Sequence, residues 1–146
     1  VQKLAVNPGQ ASPSPLGAYS HGVRVGDLLF ISGQGCRDPE SGIERGLTFD
    51  SEGKVASYDI EAQTTGVLEN LGAVLKAAGL SYSDVVDITV FLADMEDFSR
   101  YNKIYSKYFA QTPIPPARTT VQVARLPGRN FIEIKAIACF SKTEEK

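Results

Sequence analysis

The sequence predicts an α+β fold: two helices packed on one face of a sheet, in the order ββ–α–β–α–ββ. Three stretches carry that prediction. Residues 115–138 alternate polar and apolar side chains through two strands joined by a turn at Pro127-Gly128. From Ser57 to Ala78, Ile60, Val67, Leu68, Leu71, Val74 and Leu75 recur at helical spacing. From Asp97 to Phe109, Phe98, Tyr101, Ile104, Tyr105, Tyr108 and Phe109 form an aromatic stripe on a second helix.

Taken in order, the chain opens with a loop, because Pro8-Gly9, Pro13, Pro15 and Gly17 exclude helix from residues 7–18. A hairpin follows: Val23-Arg24-Val25, a turn at Gly26-Asp27, and Leu28 to Ser32, closed by Gly33-Gln34-Gly35. Residues 36–56 are rich in turn formers and leave room for at most a short strand between Ile43 and Phe49. Ser57 or Asp59 can cap the first helix, and Gly79 suits its C-terminal stop. Asp84 to Ala93 reads as a strand with Ile88, Val90 and Leu92 on one side. Gln111 to Pro116 ends the second helix, and the last two strands lead to a polar tail at Lys142–Lys146.

In the final two strands Arg118 and Thr120 oppose Thr119, Val121 and Val123, while Glu133 and Lys135 oppose Ile132, Ile134 and Ala136. We expect one apolar face turned to the helices, with Ile88, Val90, Leu92, Val121, Val123, Ile132, Ile134 and Ala136. We expect the other face to carry Arg118 and Glu133 together. Phe30, Phe91, Phe131 and Ile137 would remain on that uncovered face, which predicts a homo-oligomer.

The chain has 146 residues, 42% hydrophobic and 22% charged, which suits one soluble domain spanning 1–146. The formal charge of −2 and the lack of a basic cluster argue against a nucleic-acid surface. No apolar run has the length of about 20 residues that a membrane span needs. The first residues carry no basic and apolar leader, so no secretion signal is expected. Cys36 and Cys139 are read as free thiols in a reducing, cytoplasmic setting.

A single histidine, His21, and two cysteines without ligand spacing argue against a metal site. No Gly-x-Ser-x-Gly or phosphate loop is present. Arg118 is the leading candidate. It follows Pro115-Pro116-Ala117, which stiffens its entry, and its planar fork matches a carboxylate. The alternative is a structural salt bridge to Glu133, and Glu133 itself reads either as that partner or as a general base holding a water. Tyr19 can donate into a cleft or pack as an aromatic; Asn102 lies beside the aromatic stripe or faces solvent. His21 is a titratable candidate or a structural one.

These residues sit within motifs that resemble the RidA/YjgF family of reactive enamine/imine deaminases. The matching runs are Gly17-Ala18-Tyr19-Ser20, Leu28 to Gln34, Asp59 to Thr64, Val67 to Leu71 and Asp87 to Leu92. They continue through Asp97-Phe98, Tyr101-Asn102, Pro116-Ala117-Arg118, Val123 to Pro127 and Ile132 to Ala138. The resemblance covers about residues 10–141. The chain departs from the family pattern at Ala18, His21, Gly35-Cys36 and Thr120. The Asp59–Thr64, Ala117–Val121 and Ile132–Lys135 runs also resemble the 2-aminomuconate deaminase branch.

The resemblance implies a chorismate-mutase-like fold, assembled as a homotrimer whose sheets line a barrel and whose three clefts lie between subunits. It implies that Arg118 grips the substrate carboxylate, that Glu133 positions a hydrolytic water, and that Tyr19, Asn102, Ser32, Gly33 and Thr120 line the cleft. The implied reaction is cofactor-independent hydrolysis of a small imine or enamine carboxylate to a 2-keto acid and ammonia. Other readings are 2-aminomuconate deamination, a non-catalytic trimer that binds a carboxylate metabolite, and RNA cleavage.

Overall fold

The computed structural model describes residues 1–140, so the Lys142–Lys146 tail lies outside the described residues. Eight strands and two α-helices form an α+β fold. The strands are β1 (Lys3–Val6), β2 (Gly22–Val25), β3 (Leu28–Gln34), β4 (Leu47–Phe49), β5 (Val55–Tyr58), β6 (Val85–Leu92), β7 (Ala117–Gln122) and β8 (Ile132–Cys139). The helices are α1 (Ile60–Ala77) and α2 (Phe98–Phe109). A six-stranded sheet runs β1-β2-β3-β8-β6-β7, and β4-β5 form a separate hairpin.

The helices lie where the sequence periodicity put them. Asp59, not Ser57, caps α1: its carboxylate accepts from the backbone N–H groups of Glu61 and Ala62 at 2.9 and 3.2 Å. Ser57 belongs instead to β5. Beyond α1, Gly79 takes the left-handed conformation (φ 76°) that ends a helix without a Cβ penalty. Leu68, Leu71, Val74 and Leu75 of α1 and Tyr101 and Phe109 of α2 are buried against Ile88, Val90, Leu92, Ile132, Ile134 and Ala136 of the sheet.

The last third of the chain differs from the hairpin expected for it. β7 does not pair with β8. It pairs in parallel with β6, and β6 lies between β7 and β8. Helix α2 makes the crossover from β6 to β7, as a parallel pair requires. This changes the faces. Arg118 stands in register with Ile88, whose side chain is buried under the helices, whereas Glu133 stands in register with Phe91 on the opposite face. Arg118 and Glu133 are therefore on opposite sides of the sheet, and no salt bridge joins them. The same register turns Val121 away from the helices, where it is 38% exposed, and Val123 lies past the end of β7.

Strands β1 and β5 are not expected from the sequence, whereas β4 falls within the short strand allowed between Ile43 and Phe49. β1 adds an edge to the sheet by pairing with β2. The β4-β5 hairpin occupies the turn-rich region, and Tyr58 at its end stacks on Phe131 with ring centroids 3.7 Å apart. Phe131 is thus covered, contrary to expectation, while Phe30 remains 39% exposed on the open face, which also carries the exposed Leu28 and Val121.

Candidate active site

The residues named from sequence fall into two clusters, one on each side of the sheet. The first sits at the edge strand β7. Arg118 Nη1 donates to Asn102 Oδ1 at 2.7 Å, so a residue of α2 fixes the end of the side chain. The guanidinium carbon lies 4.6 Å from the ring centroid of Tyr105, with Phe98 and Tyr101 at 5.7 and 5.8 Å. A cation over aromatic faces is held by their quadrupoles, for about 0.5–2 kcal/mol. Burial raises the Tyr105 phenol to about 12, so the ring stays neutral beneath the cation. Two residues along β7, Thr120 Oγ1 shares a 2.6 Å hydrogen bond with the Tyr101 hydroxyl. A groove of about 490 Å³ leads away from Arg118 and Asn102, past Tyr105, Phe109, Pro115 and Pro116. Arg118 itself is exposed, and only its Nη1 is engaged by a hydrogen bond among the described residues.

The second cluster lies on the open face, around the end of β3. Ile31 pairs with Ala136 and Gln34 with Ile134, so Ser32 and Gly33 together oppose Lys135 in a β-bulge. The bulge brings Gly33 under Glu133. A Cβ added to Gly33 would lie 2.5 Å from Glu133 Oε2, so glycine is what lets the carboxylate rest there. Tyr19, Ser32, Gly33, Pro127, Glu133 and Lys135 surround a cavity of about 270 Å³. Burial pushes the Glu133 carboxyl above its ordinary range, opposed by the Lys135 charge. The Glu133 carboxylate accepts no hydrogen bond from the described residues, which leaves its oxygens available to a water.

The surroundings fix these groups. The Ser32 hydroxyl donates to the Ser20 carbonyl at 2.6 Å, tying β3 to the loop that carries Tyr19. His21 is buried, and its Nε2 lies 2.7 Å from the Pro13 carbonyl, a role in loop shape that matches its structural reading. Gln63 of α1 donates to the carbonyls of Arg45 and Arg129 and accepts from Phe131 N at 2.8 Å, which anchors the entry to β8 two residues before Glu133. Glu44 and Arg129 form an ion pair at 3.0 Å that closes the same loop.

Arg118, Asn102 and Thr120 thus come together, as do Tyr19, Ser32, Gly33 and Glu133, but the two sets do not meet within one chain. Sequence reasoning passed over Tyr105 and Lys135. The aromatic stripe signalled Tyr105 only as a packing residue, and alternation along β8 already placed Lys135 beside Glu133.

The comparisons with known proteins agree with this architecture. Residues 9–140 match the family model described as endoribonuclease L-PSP. The chain is 44% identical over 139 residues to the chloroplastic Reactive Intermediate Deaminase A of Arabidopsis thaliana, covering 94% of this chain and 66% of that protein. It is 40% identical over 127 residues to the 2-iminobutanoate/2-iminopropanoate deaminase of Mus musculus, covering 87% of this chain and 84% of that one. The crystal structure of Escherichia coli TdcF with bound serine superposes with a TM-score of 0.81 at 35% identity, covering 94% of this chain and 99% of that one. Among the described residues no helix is long and apolar enough to cross a membrane. With the family model spanning nearly the whole chain, and with relatives of this identity, the chain belongs to the endoribonuclease L-PSP family, which includes the RidA/YjgF reactive intermediate deaminases.

Proposed function

We propose that the protein hydrolyses small 2-imino and enamine carboxylates to 2-keto acids and ammonia, in clefts formed between subunits of a homotrimer. The observation that carries this reading is the separation of an outward-facing arginine from a half-buried, unpartnered glutamate by the thickness of the sheet. One small substrate reaches both only if a second copy brings its Glu133 face against the Arg118 edge of the first. The exposed Leu28, Phe30 and Val121 supply apolar area for that contact.

In the cleft Arg118 binds the substrate carboxylate, with its fork held by Asn102 and Tyr105. The enamine takes up a proton at carbon and loses one from nitrogen to solvent, becoming the imine. Glu133 accepts a proton from a water as the water oxygen bonds to the imine carbon, and the imine nitrogen takes a proton from solvent, giving the carbinolamine. The carbinolamine then collapses: its hydroxyl gives its proton to solvent as the C=O bond forms, the C–N bond breaks, and ammonia leaves with the proton that Glu133 returns. Water is the only co-reactant. Imines hydrolyse readily even unaided, so holding the water and carboxylate in place and supplying one base is sufficient assistance. The names of the Arabidopsis and mouse relatives support this reaction class, and the two free thiols suit a reducing compartment such as the cytoplasm.

The test is ammonia release from 2-iminobutanoate and 2-iminopropanoate generated in situ, with 2-aminomuconate in parallel. Wild type should release ammonia from the short imines faster than the uncatalysed background, and Glu133→Gln should not. Release only from 2-aminomuconate would reassign the substrate. Saturable binding of carboxylates without release from any of them would overturn the enzyme and leave a binding protein.

A further inference from the structure

Lys135 has no place in the reaction just described, yet it lines the same cavity as Glu133. The two are separated by one residue on β8, so their side chains share the open face. Lys135 is exposed and, among the described residues, forms no salt bridge. The neighbours that pairing sets beside Lys135 offer it no counter-charge: Thr89 on β6, and the Ser32-Gly33 bulge on β3. The nearest acid along β6 is Asp87, which stands opposite Ile137 rather than Lys135.

Burial pushes the Glu133 carboxyl up and the nearby Lys135 ammonium draws it down, yet the two form no ion pair. The cavity that presents Glu133 therefore also presents an exposed ammonium with no ion-pair partner among the described residues, and Arg118 supplies a separate carboxylate grip.

We infer that Lys135 forms a second anion subsite, so that the cleft selects 2-imino or enamine acids carrying a further carboxylate at the far end of the chain. This rests on the composite cleft proposed above for the relation of Lys135 to Arg118. One carboxylate binds Arg118 of one subunit and the reacting carbon lies near Glu133 of its neighbour. The distal carboxylate then reaches Lys135 on the same strand as that Glu133. An ammonium is a point charge on a flexible stem, so the subsite tolerates more than one chain length.

The test is equilibrium binding of stable 2-keto acids in matched pairs: 2-oxoglutarate against 2-oxopentanoate, and 2-oxoadipate against 2-oxohexanoate. Binding does not depend on turnover, so it separates this inference from the deaminase reading, which ammonia release tests independently. For at least one pair, wild type should bind the dicarboxylate about tenfold or more tightly, as one added charge-assisted contact implies. That ratio should fall with rising salt. Lys135→Arg should keep most of the ratio and Lys135→Met should bring it close to one. Light scattering on each variant reports assembly. A ratio near one in wild type, or a ratio unchanged in Lys135→Met, would overturn the subsite. So would loss of the trimer in Lys135→Met, because the lysine would then serve the interface.

Discussion

The two halves of the candidate site solve opposite problems. Around Arg118 the chain braces an exposed cation: Asn102 takes one N–H, and three aromatic rings lie against the guanidinium. Around Glu133 it keeps a carboxylate uncomfortable. The group is half-buried over a glycine, receives no hydrogen bond from the described residues, and is raised in pKa. In the proposed reaction, preorganisation serves recognition in the first half and withheld stabilisation serves proton transfer in the second. A permanent charge can be braced without losing its function, whereas a base that is fully satisfied by the protein has nothing left to offer a water.

The sharpest way to break this comparison is to remove the cation. Arg118→Ala should lower kcat/KM by about 100-fold or more, the loss of a bidentate contact to a carboxylate. The effect should appear first as a raised KM, read in steady-state ammonia release. If kcat alone fell, Arg118 would be acting on the reacting carbon instead.

The second half is probed most delicately from beneath. Gly33→Ala puts a Cβ where the Glu133 carboxylate now rests, and the side chain can swing away because only its flexible end is hit. The expected result is a fall in kcat of about tenfold with little change in melting temperature, since a misplacement of about 1 Å is costly to catalysis and cheap in packing. Equal loss of stability and activity would mean that the bulge, not the carboxylate, had been disturbed.

The protonation state distinguishes the halves by pH. In the proposed reaction Glu133 acts ionised, so kcat/KM should fall as pH drops through its folded pKa, with the acidic limb above the ordinary glutamate range. Lys135→Met removes the charge that opposes burial and should move that limb further up. The raised carboxyl also means that ionised Glu133 destabilises the fold once pH exceeds its ordinary value, and fully so above its folded pKa. Glu133→Gln should therefore melt no lower than wild type near neutral pH. An unmoved limb in Lys135→Met would show that the two charges do not sense one another.

The smallest effect is expected beneath the arginine. Tyr105→Leu removes the nearest ring and should raise KM about threefold to tenfold, within the range of a cation–π contact. Tyr105→Phe keeps the face and should stay near wild type.

Much of this was legible in the sequence, and the exceptions have a common cause. Periodicity located both helices because each buries one face of a long element. Alternation put Lys135 beside Glu133 correctly because both lie on one strand. It failed for Arg118 against Glu133 because they lie on different strands, and alternation within a strand says nothing about which strand lies next to it. A turn at Pro127-Gly128 looked like a hairpin connection, but Gln63, Glu44 and Asn130 tie that loop to α1 and to the 35–46 segment instead. The long-range pairing of β6 between β7 and β8 follows from where α2 packs, which local signals do not encode. Short β1 and β5 carried too few residues to alternate visibly, and β4 was legible only as room for a short strand between Ile43 and Phe49.

The central claim is that one cleft draws Arg118 from one subunit and Glu133 from another, and subunit mixing tests it most directly. Arg118→Ala and Glu133→Gln should each be folded and nearly inactive alone. Unfolded together in equal amounts and refolded, they should regain about a quarter of wild-type activity per subunit, because a random assembly leaves that share of clefts with both groups intact. If the mixture of well-folded oligomers stays as inactive as its parents, the two groups do not meet across subunits, and the composite cleft is contradicted.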